Sequence, residues 1–229
     1  MSPTILLHQW EISPFCQKAA RSLRCKGLAF QTVDYNGLLA TRAGRLSKVG
    51  KLPVLEIDGQ RIQDSTRIAR YLDQHHPEPP LYPADPVLHA QAELWEDWAD
   101  ELLYWYEVYL RAYDPAALDQ AVRLSCAGRP AAERVPVKLV LRTALRQQLR
   151  NQGLGRMPRE DVEAEFLRQL DRLETVLTQS DWLVGRSMTI ADIAAGSQLL
   201  EVDRTSDRMR PQLQRRPHLA AWLSRVKAV

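Results

Sequence analysis

Four residues near the start of the chain, Ser13-Pro14-Phe15-Cys16, bring reactive residue types to one spot. Proline favours the first position of a helix and serine the position before it. The tetrapeptide therefore reads as a helix start, with Ser13 as N-cap and its oxygen facing the Cys16 N–H. A serine hydroxyl accepts through its lone pairs and still has one proton to donate. A thiolate or other anion at this helix end would receive that hydrogen bond and the favourable end of the helix dipole. The dipole term is worth about 0.3–1 kcal/mol when exposed and up to about 2 when partly buried. The local sequence alone favours a simple cap over a catalytic role, since serine is among the commonest caps. Covalent nucleophilic chemistry at Ser13 is not indicated, because no Gly-x-Ser-x-Gly elbow occurs and no histidine is placed by motif as its base. Cys16 shares a helix face with Ala19, Ala20 and Leu23 and reads as a small buried apolar residue; single-thiol chemistry would require it to be exposed. No metal site is expected, since His8, His75, His76, His89 and His218 form no ligand cluster and the cysteines match no zinc spacing.

Composition narrows the function classes. The 229 residues are 45% hydrophobic and 26% charged, an ordinary globular balance that excludes a disordered, collagen-like or disulfide-stapled chain. A net charge of +3, from 31 basic and 28 acidic residues, is too even for a dedicated nucleic-acid binder, and no nucleic-acid partner is expected. Three cysteines, Cys16, Cys25 and Cys126, suit a reducing compartment, so the expectation is cytoplasmic. Met1 to Trp10 carry no basic n-region and only the short run Ile5-Leu6-Leu7, so no membrane association is expected.

The elements that must position these residues divide at a proline-rich stretch. Prolines 77, 79, 80, 83 and 86 forbid helix continuation, so a domain of residues 1–77 is expected before them and another of residues 87–229 after them. Residues 1–76 hold eleven Lys/Arg against six Asp/Glu, a surplus that suits a compact anionic ligand. Within that part, Thr4–His8 reads as a strand, Pro14–Lys26 as a helix stopped by Gly27, and Ala29–Asp34 as a second strand, a βαβ unit with parallel strands. Strands at 53–57 and 60–63 flank the hairpin signal Asp58-Gly59, and a helix follows from Ser65 to His75. This order is that of a thioredoxin-like domain. The remainder is read as all-helical, with helices at 87–113, 115–126, 135–152, 159–179, 189–204 and 217–227.

On the long helix Trp95, Trp98, Leu102, Trp105, Tyr106 and Tyr109 recur at helical spacing, which fits a core face or the wall of an apolar pocket. Thr189 and Asp192 form a capping-box variant with Met188 and Ile193 as a hydrophobic staple. As a cap alone, Asp192→Ala is expected to cost about 1 kcal/mol.

At four places the chain resembles the glutathione transferase superfamily. Ser13-Pro14-Phe15 is similar to the active-site helix start of tau-class transferases, and with Cys16 to the Cys-Pro-Phe-Cys of omega-class relatives with the first cysteine replaced. Gly50-Lys51-Leu52-Pro53-Val54-Leu55 is similar to the loop before the third strand, and Gln63-Asp64-Ser65 to the acidic-Ser helix start. Trp182 to Gly185 with Thr189 to Asp192 resembles the capping motif of the helical domain.

The resemblance implies a thioredoxin-like domain followed by an all-helical domain, with glutathione as cosubstrate, a small apolar electrophile and a homodimer. Ser13 would donate to the glutathione sulfur. Phe15, Lys51, Leu52, Pro53, Asp64 and Ser65 would bind the tripeptide, with Leu52 offering its backbone beside a cis proline and Lys51 meeting the glycyl carboxylate. Ser65 would hold the γ-glutamyl carboxylate and Asp64 the α-ammonium. Tyr106 and Tyr109 are candidates for the electrophile pocket. Taken in isolation, Asp64-Ser65 also fits a plain helix cap and Lys51 a solvated loop charge. Two alternatives keep the fold and change the function: a non-catalytic interaction module, and a thiol transferase or reductase, for which the first cysteine of the pair is absent.

Overall fold

The computed structural model describes residues 5–46 and 49–229. Strand β1 (Ile5–Gln9) is followed by helix α1 (Pro14–Cys25) and strand β2 (Phe30–Asp34). Of the strand expected from Thr4, that first residue lies outside the described range. Helix α1 begins as its residue types dictate, with Pro14 at the first position and Ser13 as N-cap. It ends in a Schellman motif: Gly27, at φ 65°, donates to the Arg24 carbonyl, and Leu28 donates to Leu23. Strands β3 (Val54–Ile57) and β4 (Gln60–Gln63) form a hairpin turned by Asp58 and Gly59, both at positive φ. The sheet order is β2-β1-β3-β4, with β1 parallel to β2 and antiparallel to β3. Helix α2 (Ser65–His75) completes a thioredoxin-like unit. The connection from β2 to β3 contains a 3-10 segment at Gly37–Arg45, which its mixed polar sequence does not announce.

Prolines 77, 79, 80 and 83 occupy a stretch without helix or strand, and Asp85 then caps α3 (Pro86–Trp98) through bonds from the Val87 and Leu88 N–H groups. Seven further α-helices follow among the described residues: α4 (Tyr104–Tyr113), α5 (Pro115–Ser125), α6 (Arg134–Gln152), α7 (Arg159–Leu177), α8 (Ile190–Thr205), the five-residue α9 (Arg210–Gln214) and α10 (Pro217–Lys227). Helix α9 is too short to carry a readable period.

Helix α8 is the hub. All but two of its residues are buried, and it packs on α1, α3 and α10. One apolar cluster therefore runs from Leu7, Leu23 and Leu55 on the sheet side to Leu199 and Trp222 on the helical side. Among the described residues no helix is long and apolar enough to cross a membrane.

The long helix expected at 87–113 is interrupted. Residues Ala99–Leu103 form a π-turn between α3 and α4. An extra residue in one turn rotates everything beyond it by about 100° relative to an unbroken α-helix. That rotation decides which aromatic side chains reach the site.

Candidate active site

A cleft of about 570 Å³ opens at the start of α1, walled by Ala40, Ala43, Gly50, Lys51 and Leu52 and by α4 and α6. Beside it lies a recess of about 390 Å³ bounded by the loop at 49–53, the start of α2 and the π-turn. Phe15, Lys51, Leu52, Asp100 and Glu101 line both, so the two form one trough.

Ser13 sits half-buried in the larger chamber. Its Oγ accepts the Cys16 N–H at 3.4 Å, leaving the hydroxyl proton to donate. Cys16, three residues on, is fully buried, and its Sγ accepts from the Trp10 N–H at 3.4 Å. Burial pushes its thiol up to about 12, so it is neither exposed nor ionised near neutral pH.

Across the trough, Pro53 follows a cis peptide bond, and Leu52 precedes the β3 ladder, so its backbone takes no part in strand pairing. At the start of α2, Asp64 accepts from the Thr66 and Arg67 N–H groups, both at 3.1 Å. That leaves the Ser65 N–H, with the Ser65 hydroxyl, at the helix end that lines the recess. Ser13, Phe15, Lys51, Leu52, Pro53, Asp64 and Ser65, read from separate stretches of sequence, thus line one continuous trough.

Tyr106 and Tyr109 do not. Both are buried, Tyr106 with its ring 5.7 Å from Phe166 on α7 and Tyr109 stacked on Tyr113 at 4.6 Å. The π-turn carries these side chains round into the core and brings Tyr104, Trp105, Val108 and Arg111 to the cleft instead. Tyr104 packs on Phe15 with ring centroids 4.9 Å apart, so an aromatic wall joins the two halves of the molecule. The adjacent pair Tyr104-Trp105 was visible in sequence; the change of phase was not.

The positive surplus of residues 1–76 does not reach the recess either. Asp64, Asp97, Asp100 and Glu101 line it against Lys51 and Arg67, because α3 and the π-turn contribute carboxylates that a count over the first domain omits. The arrangement suits a ligand that carries both an ammonium and carboxylates.

Two buried ionic clusters hold this geometry. Lys18 on α1, 1% exposed, places its Nζ 2.6 Å from Glu96, 2.6 Å from Asp100 and 3.0 Å from the Thr66 hydroxyl. Burial opposes the ammonium, but Asp100 and Glu96 outweigh it and hold the Lys18 pKa above its usual range. The second cluster joins Arg111 and Arg204 to Glu11, Glu107 and Glu201. Glu107 meets the Arg111 guanidinium as an ion pair without hydrogen-bond geometry, and burial pushes its carboxyl up to about 8. Protonated Glu107 brings two cations and two anions into balance.

A Glu held at about 8 in the fold and near 4.5 when unfolded favours folding while protonated. Its contribution is full below the lower value and is lost as pH rises through the higher. Glu107→Gln is therefore expected to match the wild type near about pH 5 and to melt at a higher temperature near about pH 9. Thermal melts across that range check it; a difference independent of pH would contradict the assignment.

Comparison with protein families places the chain. The family model described as glutathione S-transferase, N-terminal domain, matches residues 7–80, and the corresponding C-terminal domain model matches residues 142–225. Among curated proteins, Protein LigF of Sphingobium sp. strain SYK-6 is 28% identical over 80% of this chain and 72% of its own. A glutathione S-transferase of Pseudomonas putida is 24% identical over 88% of this chain and 80% of its own. Among solved structures, the beta-etherase LigF superposes with a TM-score of 0.71 at 26% identity, covering 99% of this chain and 96% of that one. A glutathione S-transferase of Methylobacterium radiotolerans in complex with glutathione sulfonate superposes with a TM-score of 0.60 at 26% identity, covering 99% and 91%. With both domain models matched in order, together over more than half of its length, the chain belongs to the glutathione S-transferase superfamily.

Proposed function

We propose that this protein is a glutathione transferase that joins the glutathione thiolate to small apolar electrophiles. The carrying observation is the half-buried Ser13 hydroxyl at the N-terminus of α1, in one trough with the cis Leu52-Pro53 peptide and the Asp64-Ser65 helix start. Glutathione lies along the recess, its γ-glutamyl carboxylate on Ser65, its ammonium near Asp64 and its glycyl carboxylate near Lys51. The cysteinyl backbone pairs with Leu52, and the sulfur rests beside Ser13. The hydroxyl donates to the sulfur and, with the dipole of α1, favours thiolate over thiol. The thiolate attacks the electrophilic carbon, a carbon–sulfur bond forms, and the leaving group departs with its electron pair. Residues 1–77 act as the glutathione-binding domain, and residues 87–229 supply the apolar wall of Tyr104, Trp105 and Val108.

The likeness to a protein titled a beta-etherase, taken with the aromatic wall, favours one narrower reading, in which the electrophile is an aryl ether and the departing group an aryloxide. Thiol transfer through Cys16 is disfavoured by its complete burial. We further place the protein in the cytoplasm. We also propose a homodimer, with exposed Val87 and Leu94 on α3 beside the recess of Trp95 and Trp98 as its apolar face.

Titration calorimetry with glutathione tests the reading. Uptake is expected, weakened about tenfold or more in Ser65→Ala because a hydrogen bond to a charged group is worth about 1.5–3 kcal/mol. A chain that takes up no glutathione would leave the non-catalytic module as the function.

A further inference from the structure

The turn that presents Ser13 is held from both of its sides. Its own bonds run from the Ser13 N–H to the Trp10 carbonyl at 2.8 Å, from the Gln17 N–H to the Ser13 carbonyl at 3.0 Å, and from the Trp10 N–H to the Cys16 sulfur at 3.4 Å, and none of them fixes the Glu11 or Ile12 carbonyl. The two carbonyls just before Ser13 are held from the helical half. Arg204 on α8 donates to the Glu11 carbonyl at 3.2 Å, a carbonyl that also accepts from Gln17 at 2.8 Å. Arg111 on α4 donates to the Ile12 carbonyl at 3.2 Å.

Both arginines are fixed in turn by Glu201, which accepts from Arg111 at 3.0 Å and from Arg204 at 2.9 Å. Arg204 reaches the Glu11 carboxylate as well, at 2.5 Å. Arg111 also forms part of the cleft wall, and it is 7% exposed. A buried ion cluster of this kind is weak evidence for stability, because well-packed apolar residues of similar volume do as well or better. What it does supply is direction: a rigid fork aimed at the carbonyl that precedes the active hydroxyl.

We propose that Arg111 is a positioning residue for Ser13, setting the place of its hydroxyl through the Ile12 carbonyl, with Arg204 and Glu201 as the second anchor. This deepens the glutathione reading and rests on it for its effect on rate. Among the described residues the one side-chain bond of Ser13 spans 3.4 Å, so the position of its hydroxyl follows the backbone. A displacement of about 1 Å in such a group costs on the order of a hundredfold in rate. Arg111 thereby acts on thiolate activation through the backbone that carries Ser13.

The test compares wild type, Arg111→Gln and Arg111→Lys by amide hydrogen exchange over residues 10–16, by the pKa of bound glutathione thiol followed in the ultraviolet, and by conjugation to a chlorodinitrobenzene. In Arg111→Gln, exchange at Ile12 and Ser13 is expected to quicken about tenfold and the bound thiol pKa to move toward that of free glutathione. The kcat is expected to fall about tenfold or more with KM for glutathione within about twofold, since other elements hold the tripeptide. Arg111→Lys keeps a buried cation for Glu201 but loses the fork, and an intermediate shift is expected. If the glutamine variant does not fold, the lysine variant carries the test alone. A folded variant with wild-type exchange, thiol pKa and kcat overturns the proposal, and so does a loss of stability with thiol pKa and kcat unchanged. Failure of the glutathione reading is separately visible as a wild type that takes up no glutathione, while exchange at residues 10–13 still reports whether Arg111 holds the turn.

Discussion

Ser13→Ala is expected to raise the pKa of enzyme-bound glutathione thiol by about one unit and to slow conjugation about tenfold or more, with the fold unchanged. One pKa unit corresponds to about 1.4 kcal/mol, within reach of a single charge-assisted hydrogen bond to the sulfur. The substitution leaves the dipole of α1 in place, so part of the thiolate preference persists. It also removes the N-cap bond to Cys16, but at 3.4 Å that bond is long, and Pro14 still starts the helix. A cap of this type costs about 1 kcal/mol when lost, so thermal stability should fall by only a few degrees. The thiol pKa and kcat should move together. A variant with wild-type values of both would remove Ser13 from the mechanism.

Asp192→Ala is expected to be the more damaging change to the fold. Read from sequence as a cap, it should cost about 1 kcal/mol. The structure places far more on this carboxylate. It is fully buried and accepts from the Leu183 N–H at 2.9 Å, the Thr189 N–H at 2.9 Å, the Thr189 hydroxyl at 3.2 Å and the Trp222 indole at 2.8 Å. Alanine would leave two amides and a buried indole N–H without an acceptor. Breaking a buried charged network by removing one partner typically costs about 3–5 kcal/mol. For a chain of this length that is a fall in Tm on the order of 10 °C. Since α8 is the hub on which α1 packs, glutathione affinity should suffer only as far as the fold does. Calorimetric unfolding checks the stability. A loss near 1 kcal/mol would mean the indole and the Leu183 amide find other partners, and normal stability with lost glutathione binding would give Asp192 a role in the site.

What the sequence revealed and what it hid follow from the range of the signals. The start of α1, its stop at Gly27 and the Asp58-Gly59 hairpin rest on residues whose backbone preferences act locally, so they could be read off directly. The trough residues from Phe15 to Ser65 came from motif likeness, and local chemistry alone left Asp64 and Lys51 as a cap and a surface charge. The π-turn at Ala99–Leu103 changes no residue type and leaves the apolar spacing intact, so the spacing of Tyr106 and Tyr109 fits a core face and a pocket wall alike, and it is the phase shift beneath them that buries both in the core. Lys18 was hidden for another reason. Its partners Glu96 and Asp100 lie far along the chain, and an isolated lysine in a basic helix looks like a solvated one. Arg111 did carry a faint signal, an acidic residue one helical turn earlier at Glu107 on an otherwise apolar stretch.

Whether Ser13 activates glutathione is decided by where the bound sulfur lies. In a crystal structure of the protein grown with glutathione, the tripeptide is expected along the recess from Lys51 to Ser65, its cysteinyl backbone against Leu52 and its sulfur within hydrogen-bond reach of the Ser13 hydroxyl. A tripeptide bound elsewhere, or a sulfur turned away from Ser13 and toward Tyr104, would contradict it.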